Sequence, residues 1–344
     1  FEKIVKIAQN RGFVFNASSI YGGLRSSYDY GPLGAMLKSN ISQIWWKSLK
    51  TPEVKIYPVD TAIIQSTDVW KASGHLSEFS DPMVECKNCN SRFRSDAELD
   101  NLCCDQQELT EPKNFNLMFE TNIGPVQSEN SQVYLRPETA QGIFVNFENV
   151  LRTMRAKLPF GIANIGKSFR NEITPGQFVF RTREFEQMEI EFFCKEEDSE
   201  EWTQFWIEKR LNWYKDLGLK EDSLRLRPHE QDELAHYAKS TTDIEYLYPW
   251  GWGELEGIAD RGNYDLAAHQ EKSGKDLTYF DSIDNSKYLP TVIEPAGGLT
   301  RTVFALLLST YEEEILENGD TRTLFKMNFD VAPIQIAILP LSKK

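Results

Sequence analysis

Between Gly166 and Phe193 the chain reads GKSFRNEITPGQFVFRTREFEQMEIEFF, in which arginines, an aromatic ring and several acids recur at two-residue spacing. In extended backbone, alternate side chains share a face. The odd positions Arg181, Arg183, Phe185, Gln187 and Glu189 therefore form one row. Phe178, Phe180, Met188, Ile190 and Phe192 fall on the other, mostly apolar face, interrupted by Glu184 and Glu186. Earlier in the stretch Ser168, Arg170 and Glu172 likewise share a face. Such a row can read an elongated polyanion. Guanidinium forks match phosphate oxygens, a phenyl ring stacks on a flat base, and an acid further along takes an ammonium group. Phe185 to Glu189 spans roughly 13 Å at strand rise, about the reach from an adenine to the far end of an aminoacyl-adenylate.

Other stretches carry chemistry of the same kind. In Tyr134-Leu135-Arg136-Pro137-Glu138-Thr139-Ala140-Gln141-Gly142, Pro137 is expected to open a helix with Glu138 and Gln141 on one face. An acid held there beside Glu189 suits an α-ammonium group. In Thr291 to Leu308 the pattern is strand, glycine loop, helix. Gly297-Gly298 lets backbone approach a ligand, Thr300 is placed to cap the helix, and Arg301 adds charge where a helix start already favours anions. Cys86-Lys87-Asn88-Cys89 is followed by Cys103-Cys104. A zinc knuckle needs a second CxxC, and adjacent cysteines seldom both ligate one tetrahedral ion, so the spacing is wrong for one, and a decayed knuckle or plain buried thiols are weighed ahead of a zinc site. His229-Glu230-Gln231-Asp232-Glu233 lacks the second histidine of a zinc-protease motif.

Phe169-Arg170-Asn171-Glu172, a loop, an arginine and Phe185 resemble motif 2 of the class II aminoacyl-tRNA synthetases, and the full stretch is similar to that of the homodimeric glycyl-tRNA synthetases. Pro32 to Val59, a long helix feeding a strand, resembles motif 1, and Thr291 to Leu308 resembles motif 3. The resemblance implies an α+β fold, an antiparallel sheet flanked by helices, and a two-step reaction. Glycine attacks the α-phosphorus of ATP to give glycyl-adenylate, and the terminal ribose of tRNA(Gly) then takes the glycyl group. By the same resemblance Arg170, Glu172 and Arg301 are the catalytic residues. Arg170, Asn171, Glu172, Phe180, Arg181, Thr182, Arg183, Glu184, Phe185, Glu254, Leu255, Gly298, Leu299, Thr300 and Arg301 bind ATP, with Glu254 a magnesium partner and Arg261 a weaker candidate for that site. Glycine is met by Arg94, Glu138, Phe185, Glu186, Gln187, Met188, Glu189, Glu294, Pro295, Ala296, Gly297 and Gly298. Glu138, Glu189 and Glu294 make an acidic pit whose crowding excludes alanine. The family has serine where this chain has Ala296. Two alternatives stand beside this reading. A non-catalytic, synthetase-like accessory subunit should have lost Arg170, Glu172, Arg181 and Arg301, which are present; a class II synthetase for another small amino acid fits the three glutamates less well.

The elements that must position these groups are legible in outline. Thr174-Pro175-Gly176-Gln177 fits a type II turn closing a hairpin. Leu33, Leu37, Ile41, Ile44, Trp45 and Leu49 recur at helical spacing behind Pro32. Residues 241–266 read as central strands with a turn at Trp250-Gly251, and His75 as a structural histidine. Residues 1–329 are expected to form the catalytic domain, 82–113 an inserted subdomain, and 330–344 the first strand of a C-terminal anticodon-binding domain. Homodimerisation is expected through 32–59. The 344 residues suffice for one large or two ordinary domains, and five cysteines argue for a reducing, cytoplasmic setting. No apolar run suits a membrane span, and the start reads as internal to a longer chain. A net charge of −14 means that any tRNA contact rests on local basic patches.

Overall fold

The computed structural model describes residues 1–95, 103–104, 108–126, 131–235 and 237–341. Its frame is a seven-stranded sheet of β1 (Lys55–Pro58), β2 (Phe160–Phe169), β3 (Glu184–Cys194), β4 (Leu224–Pro228), β5 (Ser240–Tyr248), β6 (Gly251–Gly262) and β7 (Thr291–Gly298). The spatial order is β4-β5-β6-β7-β3-β2-β1, antiparallel throughout except for β1, which runs parallel to β2 at the edge. The helices that cover it are α1 (Pro32–Ser48), α2 (Ala140–Phe144), α3 (Ser199–Leu217), α4 (Tyr264–Ser273) and α5 (Leu299–Thr310).

Strand β3 shows why the sheet has two unlike faces. Its even residues Met188, Ile190 and Phe192 are fully buried against Trp206 and Tyr214 of α3, Leu37, Ile41 and Trp45 of α1, and Val303, Phe304 and Leu307 of α5. Along the odd face Phe185 and Gln187 are partly exposed, Glu189 and Glu191 are buried, and Phe193 enters a second core with Phe160, Ile143, Phe144 and Leu266. One row of side chains thus runs from an open cleft, through two acids, into sealed packing.

α1 is pinned at its start. Gly34 lies against the backbone of residues 12–13, and a Cβ there would stand 1.8 Å from the Phe13 carbonyl oxygen. Alanine at an ordinary helix position adds stability relative to glycine, but this contact is with backbone and has no side chain to yield. Gly34→Ala is expected to destabilise the chain by about 3 kcal/mol, read as a lower midpoint in urea unfolding. An unchanged midpoint would contradict the close docking.

The hairpin between β2 and β3 departs from the expected tight turn. β2 stops at Phe169 and β3 starts only at Glu184. Positive φ falls on Gln177 (58°) and Phe178 (57°), not on Gly176, and Phe178–Phe180 form a 3₁₀ turn. Burial decides this: Phe178 packs edge-on against Tyr28 and Phe304, with ring centroids 5.2 and 5.5 Å away. Phe178, Phe180, Arg181 and Arg183 are therefore loop residues, and the period-two row begins at Phe185. Two further expectations are corrected. The helix after Pro137 begins at Ala140, and no glycine loop separates β7 from α5, because the strand runs through Gly298, which is itself the N-cap. The described terminal stretch 331–341 forms no strand, and Ile336, Ile338 and Leu339 are exposed.

Within the inserted region the described residues include a small sheet in which Ser80–Glu85 pairs with Arg92–Arg94 on one side and Lys113–Asn116 on the other. Against the expectation from spacing, the sulfurs of Cys86, Cys89, Cys103 and Cys104 all lie within 4.8 Å of one another. No helix among the described residues is long and apolar enough to cross a membrane.

Candidate active site

Strand β3, the loop before it, and the β7–α5 junction enclose a cleft of about 180 Å³. Arg170, Arg181 and Arg301 line it together with Glu172, Phe180, Thr182, Phe185, Glu186, Gln187 and Glu254, and its floor is Ala296, Gly297, Gly298 and Thr300. The Arg170 guanidinium lies between two rings, 5.3 Å from the centroids of both Phe79 and Phe185, and its Nε donates to the Pro137 carbonyl at 3.0 Å. Arg301 covers the Phe180 ring at 4.4 Å, donates to the Phe180 and Glu254 carbonyls, and meets Glu254 Oε2 at 3.2 Å. Arg181 is 3.9 Å from Glu172 Oε2, and more than a third of its side chain is exposed. Thr300 does not cap α5; its hydroxyl accepts from the Glu186 backbone N–H at 3.0 Å and ties the helix start to β3. Glu186 in turn pairs with Lys38 of α1 at 2.5 Å.

Five of the expected nucleotide residues lie off this cleft. Arg183 turns back to donate to the Glu172 and Arg25 carbonyls, bracing the loop. Glu184 pairs with Lys167 on the strand surface. Leu255 and Leu299 are core residues, and the Asn171 backbone donates to the Leu117 carbonyl. Arg261, the weaker candidate, does not line this cleft either. Fully buried, it grips Asp265 with two 2.8 Å hydrogen bonds, reaches Glu294 Oε2 at 2.6 Å, and lies 3.8 Å from the centroid of the Tyr237 ring.

Deeper along the odd face is the acidic pit. Glu189 on β3 accepts from the Thr139 hydroxyl. Glu138 accepts from Gln141 Nε2 at 3.1 Å and lies 3.3 Å from His75 Nε2, whose other ring nitrogen pairs with Ser73 at 2.8 Å. Glu294 on β7 is held by Arg261. Sequence reasoning missed Glu191, which extends the same alternation by one step: its two oxygens are buried, and it clusters with Glu189 and Glu294. It also missed the supports. Gln141 donates to Asp265 at 2.9 Å and accepts from His269 at 2.7 Å, while Arg136, buried, ties Thr61 to the Lys167 carbonyl. Pro295 and Met188 are buried in the two strands, their register setting Ala296 opposite Glu189 and Gly297 opposite Met188. Arg94 stands on the inserted sheet, its Nη1 3.0 Å from Asp81.

The acids of the pit are not equivalent. Burial raises Glu189 and Glu191 well above the usual carboxylate range, and their like-charged neighbours, Glu294 first, raise them further. Burial also raises Glu294, with Arg261 opposing. For Glu138 burial works in the same direction, but His75, Arg261 and Gln141 outweigh it and hold the carboxyl below its usual range. Glu138 is thus favoured as the carboxylate and Glu189 as the neutral acid. A cleft lined by three arginines therefore stands on the same strand as a buried cluster of glutamates.

Residues 119–310 match the model of the tRNA synthetase class II core domain (G, H, P, S and T). Along its whole length the chain is 48% identical to the glycine--tRNA ligase of Caldanaerobacter subterraneus subsp. tengcongensis, covering 81% of that protein. It is 49% identical to that of Lysinibacillus sphaericus and 50% identical to that of Geobacillus kaustophilus, again over the whole chain and 81% of each relative.

Proposed function

Because this chain belongs to the glycine–tRNA ligases of the class II synthetase family, and so attaches glycine to tRNA using ATP, we propose that the cleft binds the nucleotide and the pit behind it binds glycine. The observation that carries this division is the odd face of β3, on which Phe185 and Gln187 line the arginine cleft and Glu189 lies buried beyond them. Arg170 takes the α-phosphate, where negative charge grows as the glycine carboxylate attacks, and Arg181 and Arg301 take the outer phosphates. Phe185 stacks on adenine, and Glu172 meets its amino group. Glu254 faces the same cleft with its carboxylate accessible beside Arg301, a donor of the type that a phosphate-bound magnesium ion uses.

In the pit, Glu138, Glu189 and Glu294 surround the glycine ammonium, and Arg94 is assigned to its carboxylate. Little side-chain acid–base chemistry is needed: holding both reactants in line and neutralising the developing charge supplies the rate. Ala296 leaves the pocket one hydroxyl poorer than the family pattern, which bears on how glycine is held and not on the reaction. Residues 1–329 act as the catalytic domain, 82–113 as an insertion, and 330–344 as the lead into an anticodon-binding domain. Pairing of two copies through 32–59 is supported by β1, whose outer edge has no neighbour in the sheet; the apolar stripe of α1 is already consumed by the chain's own core. A cytoplasmic location follows the cysteine usage.

Amino-acid-dependent ATP–pyrophosphate exchange with each of the twenty amino acids tests the pit. Glycine alone is expected to support exchange. Comparable exchange with alanine or serine would keep the cleft and overturn the assigned pit.

A further inference from the structure

The inserted sheet holds a constellation that aminoacylation does not use. Cys86 ends the strand Ser80–Glu85, and Cys89 sits in the turn that leads to Arg92–Arg94. The sulfurs of Cys103 and Cys104 lie within 4.8 Å of both. Cys86 Sγ is 3.7 Å from Cys104 Sγ, and Cys104 Sγ is 3.9 Å from Cys103 Sγ. Four thiolates around zinc at about 2.3 Å stand about 3.8 Å apart along each edge of the tetrahedron. A disulfide would require about 2.05 Å. Hydrophobic burial does not account for the gathering either, since only Cys86 is buried, Cys89 is exposed, and Cys103 and Cys104 are intermediate.

The turn is shaped for sulfur. The Asn90 N–H donates to the Cys86 carbonyl at 2.8 Å, Asn90 takes a positive φ of 57°, and the Cys86 N–H donates to the Ser91 carbonyl at 2.8 Å. The N–H groups of Cys89 and Asn88, with that of Glu108 from the facing segment, lie against Cys86 Sγ, and Cys89 Sγ stands 3.2 Å from the Ser91 hydroxyl oxygen, to which the thiol donates. Backbone donors converging on sulfur stabilise bound thiolates. Adjacent cysteines, which the spacing alone disqualifies, here present both sulfurs to the same centre.

We propose that Cys86, Cys89, Cys103 and Cys104 bind one zinc ion that closes the inserted sheet. Binding replaces the thiol protons and releases them to solvent. The ion joins the turn between Ser80–Glu85 and Arg92–Arg94 to the segment leading back to Lys113–Asn116, and so fixes the strand that carries Arg94. Nothing in this proposal depends on the roles assigned to the cleft.

The test is elemental analysis of the full chain purified under reducing conditions without chelator. About one equivalent of zinc is expected, with all five cysteines titrating as thiols after denaturation. Cobalt exchanged into the site should show thiolate-to-metal charge transfer. Cys89→Ser and Cys104→Ser, checked as folded by circular dichroism, should each weaken retention against a chelator by more than about a hundredfold, since changes in the outer shell alone cost up to that much. Under about a tenth of an equivalent of zinc, with no charge-transfer band on adding cobalt, overturns the proposal. So does undiminished retention in both folded variants, or a denatured thiol count showing that a pair is oxidised.

Discussion

Arg170→Ala is expected to lower glycine-dependent ATP–pyrophosphate exchange by about a thousandfold, the scale lost when an arginine facing a phosphoryl transition state is removed. The guanidinium is fixed from three directions, between the Phe79 and Phe185 rings and by the Pro137 carbonyl, so its orientation is set before substrate arrives. Catalysis by preorganised charge depends on that prior orientation. Arg170→Lys should recover little, because an ammonium offers neither the planar fork nor a face to lie between two rings. Both variants should fold, since the side chain is only partly buried and its Nε donates to a backbone carbonyl that solvent can also satisfy. Steady-state exchange with circular dichroism checks this; a loss under about tenfold would remove Arg170 from the α-phosphate.

The second large effect is on stability. Arg261→Met removes the cation that holds Asp265 and Glu294, both buried. Breaking a buried pair by removing one partner typically costs about 3–5 kcal/mol, because the charge left behind has lost its solvent and its counter-ion. The cost depends on pH, and its sign follows from burial. Without Arg261 the Glu294 carboxyl, which burial already raises, loses the cation that opposes the rise and stands further above its unfolded pKa. The variant's stability is therefore retained below the unfolded carboxylate pKa and lost as pH rises through the raised value. Urea unfolding at pH 5 and pH 7.5 should show a wider gap from the unaltered chain at pH 7.5. A gap that narrows with rising pH would mean that Arg261 does not neutralise this cluster. The unfolding should be accompanied, in whatever fraction stays folded, by a raised KM for glycine with little change for ATP, since Arg261 holds Glu294 and does not line the nucleotide cleft.

Much of this site was legible because strand alternation is a strict geometric rule. The row from Phe185 to Glu189, the arginine after the paired glycines, and the central hairpin with its turn before Gly251 all follow from local pattern. The failures share a cause. Thr174-Pro175-Gly176-Gln177 has good local turn chemistry, yet the burial of Phe178 against residues distant in sequence moved the turn and left Arg183 bracing the loop. Arg261 looked like a ligand residue because its partners, Glu294 on another strand and Asp265 on α4, meet only in three dimensions. Glu191 was available from the alternation and was passed over because it stands among apolar neighbours that read as core. The cysteines failed on a spacing rule that presumes each pair comes from its own turn.

The direct passage of β7 into α5 sets a further limit. Glu294, at the ammonium end, and Arg301, at the phosphate end, are mounted on one uninterrupted piece of strand and helix whose junction is Gly298. No flexible linker lies between them, and the Thr300 hydroxyl ties the junction to β3. Under the assignment proposed above, the two ends of the bound intermediate would be gauged by a ruler of fixed length. A longer amino acid could then not be accommodated by letting the phosphate grip drift outward, so selection for the smallest substrate would be built into the covalent chain as well as into the walls of the pit.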